Sequence, residues 1–304
     1  MSNIGKGNNF YIEKDEDCRG AFALELGGLL SLYAQKIKVT VTPSGNISLS
    51  EFLSSYAFEE MAGYRGITEG KLSYEIDDIF VGEKKHAIIR FSVPKASTAV
   101  CARKTTVCSI ELEYLDVETK KEVTSQVTAK IQYVKAGKVA SKGNDEVKKQ
   151  LAMIEAAKIQ IEAKTKADAG DYTGAQEAAS RGVLFATNSE WLDNSEQLAQ
   201  NFTTLGESMS NRYDYQTKGL KLATAYSCSF SKGRTTTMDS LGTTYNSDIQ
   251  KEMLTSFSAG SEDAVQESSN SGSSFGDLTK IGGVSGSDIV ITNDNGTESD
   301  ESAV

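Results

Sequence analysis

Hydrophobic positions along the chain change period twice and then thin out. Phe22, Leu26, Leu29, Leu30 and Tyr33 recur at helical spacing. Ile37, Val39 and Val41 then alternate with Lys36, Lys38 and Thr40, as a strand with one buried face requires. The stretch FALELGGLLSLYAQKIKVTV thus predicts a helix running straight into a strand. A β-prone run, Asn9-Phe10-Tyr11-Ile12, precedes it, and Asp15 or Asp17 is placed to cap the helix. Gly27 and Gly28 sit at the helix centre, where each costs about 1 kcal/mol. They predict close packing, and the expected neighbour is a sheet.

Alternation continues to about residue 136. Leu72, Tyr74 and Ile76; Ile89, Phe91 and Val93; Ile110, Leu112 and Tyr114; and Val123, Val127, Ala129, Ile131 and Tyr133 each mark one face of a strand. The polar DVETKKE between the last two predicts a hairpin, and Pro94 marks a strand end because it cannot donate to the ladder. Short alternating strands divided by polar turns predict an antiparallel sandwich.

Helical period then returns. Val147, Leu151, Ile154 and Ile161 follow the cap pair Asn144-Asp145, and a tight turn at DAGDYTG leads to a second helix. There Ala175, Ala178 and Ala179 permit close approach, as in a helical hairpin. A third helix carries Leu198, Phe202, Leu205 and Met209, and a fourth, from about 212 to 226, carries Tyr215, Leu222 and Tyr226. Trp191 stands at a helix entry in a core or staple role. From Ser261 onward nine acids face one base, Lys280, among Ser and Gly. Such a segment buries too little apolar surface to offset its ordering entropy, so a disordered tail is expected, with Ile289-Val290-Ile291 as its single apolar run.

The predicted fold class is α+β: an antiparallel β-sandwich followed by an α-helical bundle, preceded by a strand–helix remnant of an α/β domain. The boundaries are 1–34 for the remnant, 35–140 for the sandwich, 145–257 for the helical domain and 258–304 for the tail. The length of 304 residues accommodates more than one domain. A net charge of -10 argues against a nucleic-acid binder and against docking on anionic lipid. No run reaches the roughly eighteen apolar residues that would span a bilayer. The polar Met1-Ser2-Asn3-Ile4-Gly5-Lys6-Gly7 is unlike a secretory signal, and a cytoplasmic location is expected. The cysteines (Cys18, Cys101, Cys108, Cys228) read as reduced thiols there, although a hairpin could bring Cys101 to Cys108.

Candidate chemistry is thin. His86 is the single histidine and reads as a surface strand residue among lysines. The cysteines and this histidine form none of the spacings a structural zinc site uses. Gly5-Lys6-Gly7 precedes a strand instead of following one, unlike a phosphate loop. Asp77 and Asp78 are adjacent on an extended run, so they point to opposite faces and cannot share a cation; a turn role is expected. Asp116 with Glu118 and Asp168 with Asp171 read as turn and cap residues. KGRTTTMDS (Lys232 to Ser240) reads as a flexible connection in preference to an anion-binding loop. No catalytic, cofactor-binding or metal-ligating residue is predicted, and no cofactor.

The order of segments does resemble a known family. The strand NFYI, an acid-rich loop, the helix AFALELGGLLSLYAQ and the strand KIKVTV resemble the last strand and helix of a von Willebrand factor type A domain and the β-rich region that follows it. DIFVGEKKHAIIRFSVP, SIELEYLDVETKKEV and AKTKADAGDYTGAQEAAS are similar to later segments of such proteins, so the resemblance covers roughly residues 4 to 230. It implies the C-terminal portion of a protein containing that domain. The family's metal-ion-dependent adhesion site uses Asp-x-Ser-x-Ser, which this chain lacks, so no metal ligand carries over. Either the chain is a fragment of a larger product or it is a member that has lost its metal-binding front.

The function expected from all this is a non-enzymatic protein-interaction or scaffold module. The alternative is an accessory, partner-recruiting part of a ubiquitin-ligase-type relative. A hydrolase built around His86 ranks below both. Protein partners are expected through residues 1–34 or the sandwich, and self-association is expected where the apolar helix face finds no partner. Neither nucleic acid nor membrane is expected.

Overall fold

A computed structural model describes residues 10–15, 17–54, 66–68, 70–95, 104–133, 144–237 and 246–259. The Gly5-Lys6-Gly7 turn, Cys101 and the acidic segment from 260 onward lie outside the described residues. The chain is mixed α and β. Helix α1 (Asp17–Leu30) leads into strand β1 (Leu32–Pro43), followed by β2 (Ser48–Leu53), β3 (Gly66–Thr68), β4 (Lys71–Ile76), β5 (Ile79–Phe80), β6 (Ile88–Ser92), β7 (Lys104–Asp116) and β8 (Glu122–Gln132). The helices α2 (Asp145–Asp168), α3 (Tyr172–Asn188), α4 (Ser195–Glu207), α5 (Arg212–Asp214), α6 (Leu220–Lys232) and α7 (Asp248–Ala259) follow, with a π turn at Tyr215–Gly219.

The strands form a six-stranded antiparallel sheet in the order β3-β4-β1-β7-β8, with β5 also on β1, and a two-stranded sheet of β2 and β6. The alternation at Ile37, Val39 and Val41 is realised, since all three are buried. Val39 pairs with Tyr74 and Leu112, and Val41 with Leu72 and Ile110. These side chains form one core with Ile47, Val107, Cys108 and Ala129, against which Leu49, Phe52, Ile89 and Phe91 of β2 and β6 pack. The DVETKKE turn joins β7 to β8: Asp116 N–H donates to Lys121 O at 2.9 Å, and Thr119 N–H donates to the Asp116 carboxylate at 2.7 Å. β6 ends at Ser92, two residues before Pro94.

The helices cluster around a second core. Asn144 caps α2 by accepting from Glu146 N–H at 2.8 Å and Val147 N–H at 3.3 Å, an arrangement that contributes about 1 kcal/mol. Asp171 caps α3 through Gly174 N–H at 2.9 Å. Leu198, Phe202, Leu205 and Met209 are all buried, as are Tyr215, Leu222 and Tyr226. The deepest face of α2, however, is its alanine ridge, Ala152, Ala156, Ala163 and Ala167 with Ile159; Val147, Leu151 and Ile161 are only half-buried. Small side chains let α3 approach, and close packing decided the orientation over side-chain size. Lys148 Nζ lies 4.1 Å from the Trp191 ring centre, and Trp191 packs on this core.

Two expectations about the connecting segments fail. The run before α1 forms no strand among its described residues: Tyr11 makes an isolated parallel bridge to Thr237, with Tyr11 N–H donating to Thr236 O at 2.8 Å. The described part of KGRTTTMDS is no loose connection either, for Arg234, Thr235, Thr236 and Thr237 are all buried.

Candidate interaction site

Helix α1 carries large apolar side chains on more than one side, with Asp17, Arg19 and Glu25 its charges, and the face it buries is the opposite of the one its spacing suggests. Ala21, Ala23, Leu24, Gly27 and Gly28 are buried, whereas Phe22, Leu29 and Leu30 are 61%, 67% and 62% exposed. Tyr33 is exposed beyond them, and Leu26 is half-buried. The cause is the glycine pair. A Cβ on Gly27 would stand 3.1 Å from Gln250 Cα, and one on Gly28 would stand 2.9 Å from the Phe80 ring. The neighbours that exploit the glycines are therefore helix α7 and one aromatic ring. Gln250 Nε2 donates to Leu24 O at 3.1 Å, and the rings of Phe22 and Phe257 lie 6.0 Å apart. Phe22 near Phe257 and Gly27 near Gln250 make the two helices antiparallel.

The end of α1 is tied to the strands. Ser31 Oγ donates to Gly27 O at 2.7 Å, Val81 N–H donates to Ser31 O at 2.7 Å, and Val117 N–H donates to Tyr33 O at 3.1 Å. Beneath Phe80 lies a buried charge cluster. The Arg234 guanidinium carbon is 4.0 Å from the Phe80 ring centre. Its Nε donates to Glu83 Oε1 at 3.0 Å and one terminal nitrogen to Glu83 Oε2 at 3.2 Å, with a further bond to Asp78 O. Glu83 also accepts from Phe80 N–H at 3.0 Å and pairs with Lys85. The side chains of Glu83, Lys85 and Arg234 are only 6–7% exposed.

Burial alone raises the Glu83 carboxyl, but the Arg234 hydrogen bond and the charges of Lys85 and Arg234 outweigh it and hold the group below the ordinary carboxylate range. Burial pushes the Lys85 ammonium down to about 8, against the opposing pull of Glu83. Thr235 Oγ1 donates to Asn246 Oδ1 at 2.5 Å and Thr236 Oγ1 to Ala225 O at 2.6 Å. The segment after α6 is thus stitched to the strands, to α6 itself and to the approach to α7.

The residues weighed for chemistry stay apart. His86 is exposed, with Nε2 3.9 Å from Glu146 Oε1. Asp77 is buried while Asp78 accepts from Gln35 Nε2 at 3.1 Å, and both occupy the link between β4 and β5. Among the described residues no group of His, Cys, Asp and Glu is placed to hold a metal ion, and no helix is long and apolar enough to cross a membrane. Sequence reasoning missed Glu83, Lys85 and Arg234. The signal available was a Gly-Arg pair following an apolar helix, with three β-branched threonines after it.

No protein-family model matches the chain, and no curated protein matches it. Its structure is similar to a von Willebrand factor type A protein from Catenulispora acidiphila, with a TM-score of 0.49 and 11% identity over 66% of this chain and 45% of that one. It is also similar to the ArnB paralog VWA2 from Sulfolobus acidocaldarius, with a TM-score of 0.36 and 12% identity over 66% of this chain and 43% of that one. Both carry the family name that the order of segments resembles, and the chain spans less than half the length of either.

Proposed function

We propose that the chain is a non-enzymatic protein-interaction module whose docking surface is the outward face of α1. One observation carries this reading: Phe22, Leu29 and Leu30 stand more than half exposed on a helix whose backbone is pinned from behind. Large apolar side chains grouped on a rigid element mark an interaction site more often than isolated ones do. The occupant is the apolar sheet face of an α/β domain, because a helix of this composition is the kind that covers such a sheet. The likeness of the α1 sequence to the closing helix of a von Willebrand factor type A domain supports that choice. In this reading the strands and the helical core act as the scaffold that presents α1.

Leu29→Glu/Leu30→Glu should leave the far-ultraviolet dichroism unchanged and remove most binding of a hydrophobic dye by the full chain. A photo-crosslinking residue at Leu29, introduced in cells, should yield peptides from the sheet of an α/β domain. Wild-type chain that binds no dye, or crosslinks that fall only within the chain itself, would sink the reading.

A further inference from the structure

The long edge of the six-stranded sheet is open among the described residues. Among the described residues no strand pairs with the outer side of β8, which pairs with β7 alone. The opposite edge is only the three-residue β3. β8 runs for 11 residues, EVTSQVTAKIQ, without proline or glycine. An edge of this length presents a row of backbone donors and acceptors that can pair with another strand.

Two rows of side chains lead out to that edge on the core face. One runs Leu72–Val41–Ile110–Val127 and the other Tyr74–Val39–Leu112–Ser125. Burial fades along the first row: Leu72 and Val41 are buried, while Ile110 and Val127 are half-buried. Val123 and Val127 pack against neither buried cluster. Among the described residues the apolar layer therefore reaches the edge without being closed there.

The charges on β8 select what can close it. Within the strand these are Glu122 and Lys130, both exposed on the outer face, and neither has an ion-pair partner among the described residues. We propose that β8 pairs antiparallel with β8 of a second copy of this chain, about a two-fold axis at Gln126. That register sets Glu122 opposite Lys130 of the second copy, and Lys130 opposite its Glu122. It also sets Val123 opposite Ala129, Thr124 opposite Thr128 and Ser125 opposite Val127, so every residue meets one from the same face. The row ending at Val127 then continues through Ser125, Leu112 and Val39 of the second copy. Parallel in-register pairing would instead place Lys130 on Lys130 and Glu122 on Glu122, so the same charges that permit one arrangement oppose the other.

An interface made of one strand pair is small, and the dimer is of the weak class. Sedimentation equilibrium of the full chain over a wide concentration range should show a reversible monomer–dimer equilibrium. Glu122→Lys and Lys130→Glu should each raise the dimer dissociation constant roughly tenfold, and the double swap should restore it. Amide hydrogen exchange across β8 in the wild-type chain should slow as concentration rises; this arm decides the matter should a variant fail to fold. A monomer at every concentration overturns the proposal. So does a dimer indifferent to the charge reversals, or one abolished by Leu29→Glu/Leu30→Glu with the β8 charges intact. Those last variants test the α1 surface separately, so each reading can fail alone.

Discussion

At the scale of single residues, this molecule is organised by what it leaves out of its helices. Gly28 leaves room for the Phe80 ring, Gly219 for Ser208 O and Gly182 for Phe202, with a Cβ at Gly182 falling 2.4–2.6 Å from three ring atoms. Phe202 is 2% exposed, with little relief beyond a small cavity that it lines with Leu198 and Leu205. Gly182→Ala should therefore destabilise the chain by about 1–3 kcal/mol despite the better helix propensity of alanine, because overpacking a closed site forces neighbours out of their rotamers. Leu184→Ala, two residues on at a position 63% exposed, should change stability by less than about 0.5 kcal/mol. Urea denaturation with an unchanged slope would read both. If Gly182→Ala proved neutral or stabilising, the α3–α4 approach would be looser than described.

At the scale of elements, the cluster of Glu83, Lys85 and Arg234 joins the end of α6 to the β5–β6 link, and through Phe80 it supports α1. Removing one partner from a buried ion group leaves uncompensated charge, which typically costs about 3–5 kcal/mol; Glu83→Gln should be destabilising to this extent at neutral pH. The pH dependence has a definite sign at each end. Glu83 is held below the ordinary carboxylate range in the folded chain, so its contribution is present above that range and is lost as pH falls through its folded value. Glu83→Gln should flatten the acid limb of the stability curve. Lys85 is pushed down to about 8, against roughly 10.4 when unfolded. Between those values the unfolded chain binds more protons, so this group makes stability rise with pH. Lys85→Met should abolish that rise, as followed by chemical denaturation from neutral to alkaline pH. A wild-type curve flat in this window would show that the lysine is not desolvated as described.

At the scale of the whole molecule, the periodic parts were legible and the joints were not. Alternation at Ile37, Val39 and Val41, the DVETKKE hairpin and the helix carrying Leu198, Phe202, Leu205 and Met209 follow from local pattern, because each buries one face whatever lies beyond it. The orientation of α1 does not follow from pattern. Its spacing points Phe22, Leu29 and Leu30 inward, yet the glycine side is buried, since only that side admits Gln250 from a helix more than two hundred residues away. The Arg234 cluster was hidden for a related reason: Glu83 and Arg234 are 151 positions apart, and each looks like a solvated charge in its own neighbourhood. Reading surface and interior from local period fails where long-range contacts choose between two apolar faces.

The antiparallel contact of α1 with α7 also has a mechanical meaning. Because Phe22 lies beside Phe257, Asp17 and Ala259 stand at the same end of the helix pair. Tension applied there would peel the pair apart one turn at a time instead of shearing it. Handles on the exposed Cys18 and on a cysteine replacing the exposed Ser256 should give a first rupture at low force, releasing little more than the nine residues of α7 from Asp248 to Ser256. Extension should then pause at the bond between Thr235 and Asn246 and the buried Arg234 beside it. A module loaded in this way would yield α7, and with it the support behind the face of α1, before its cores feel the pull.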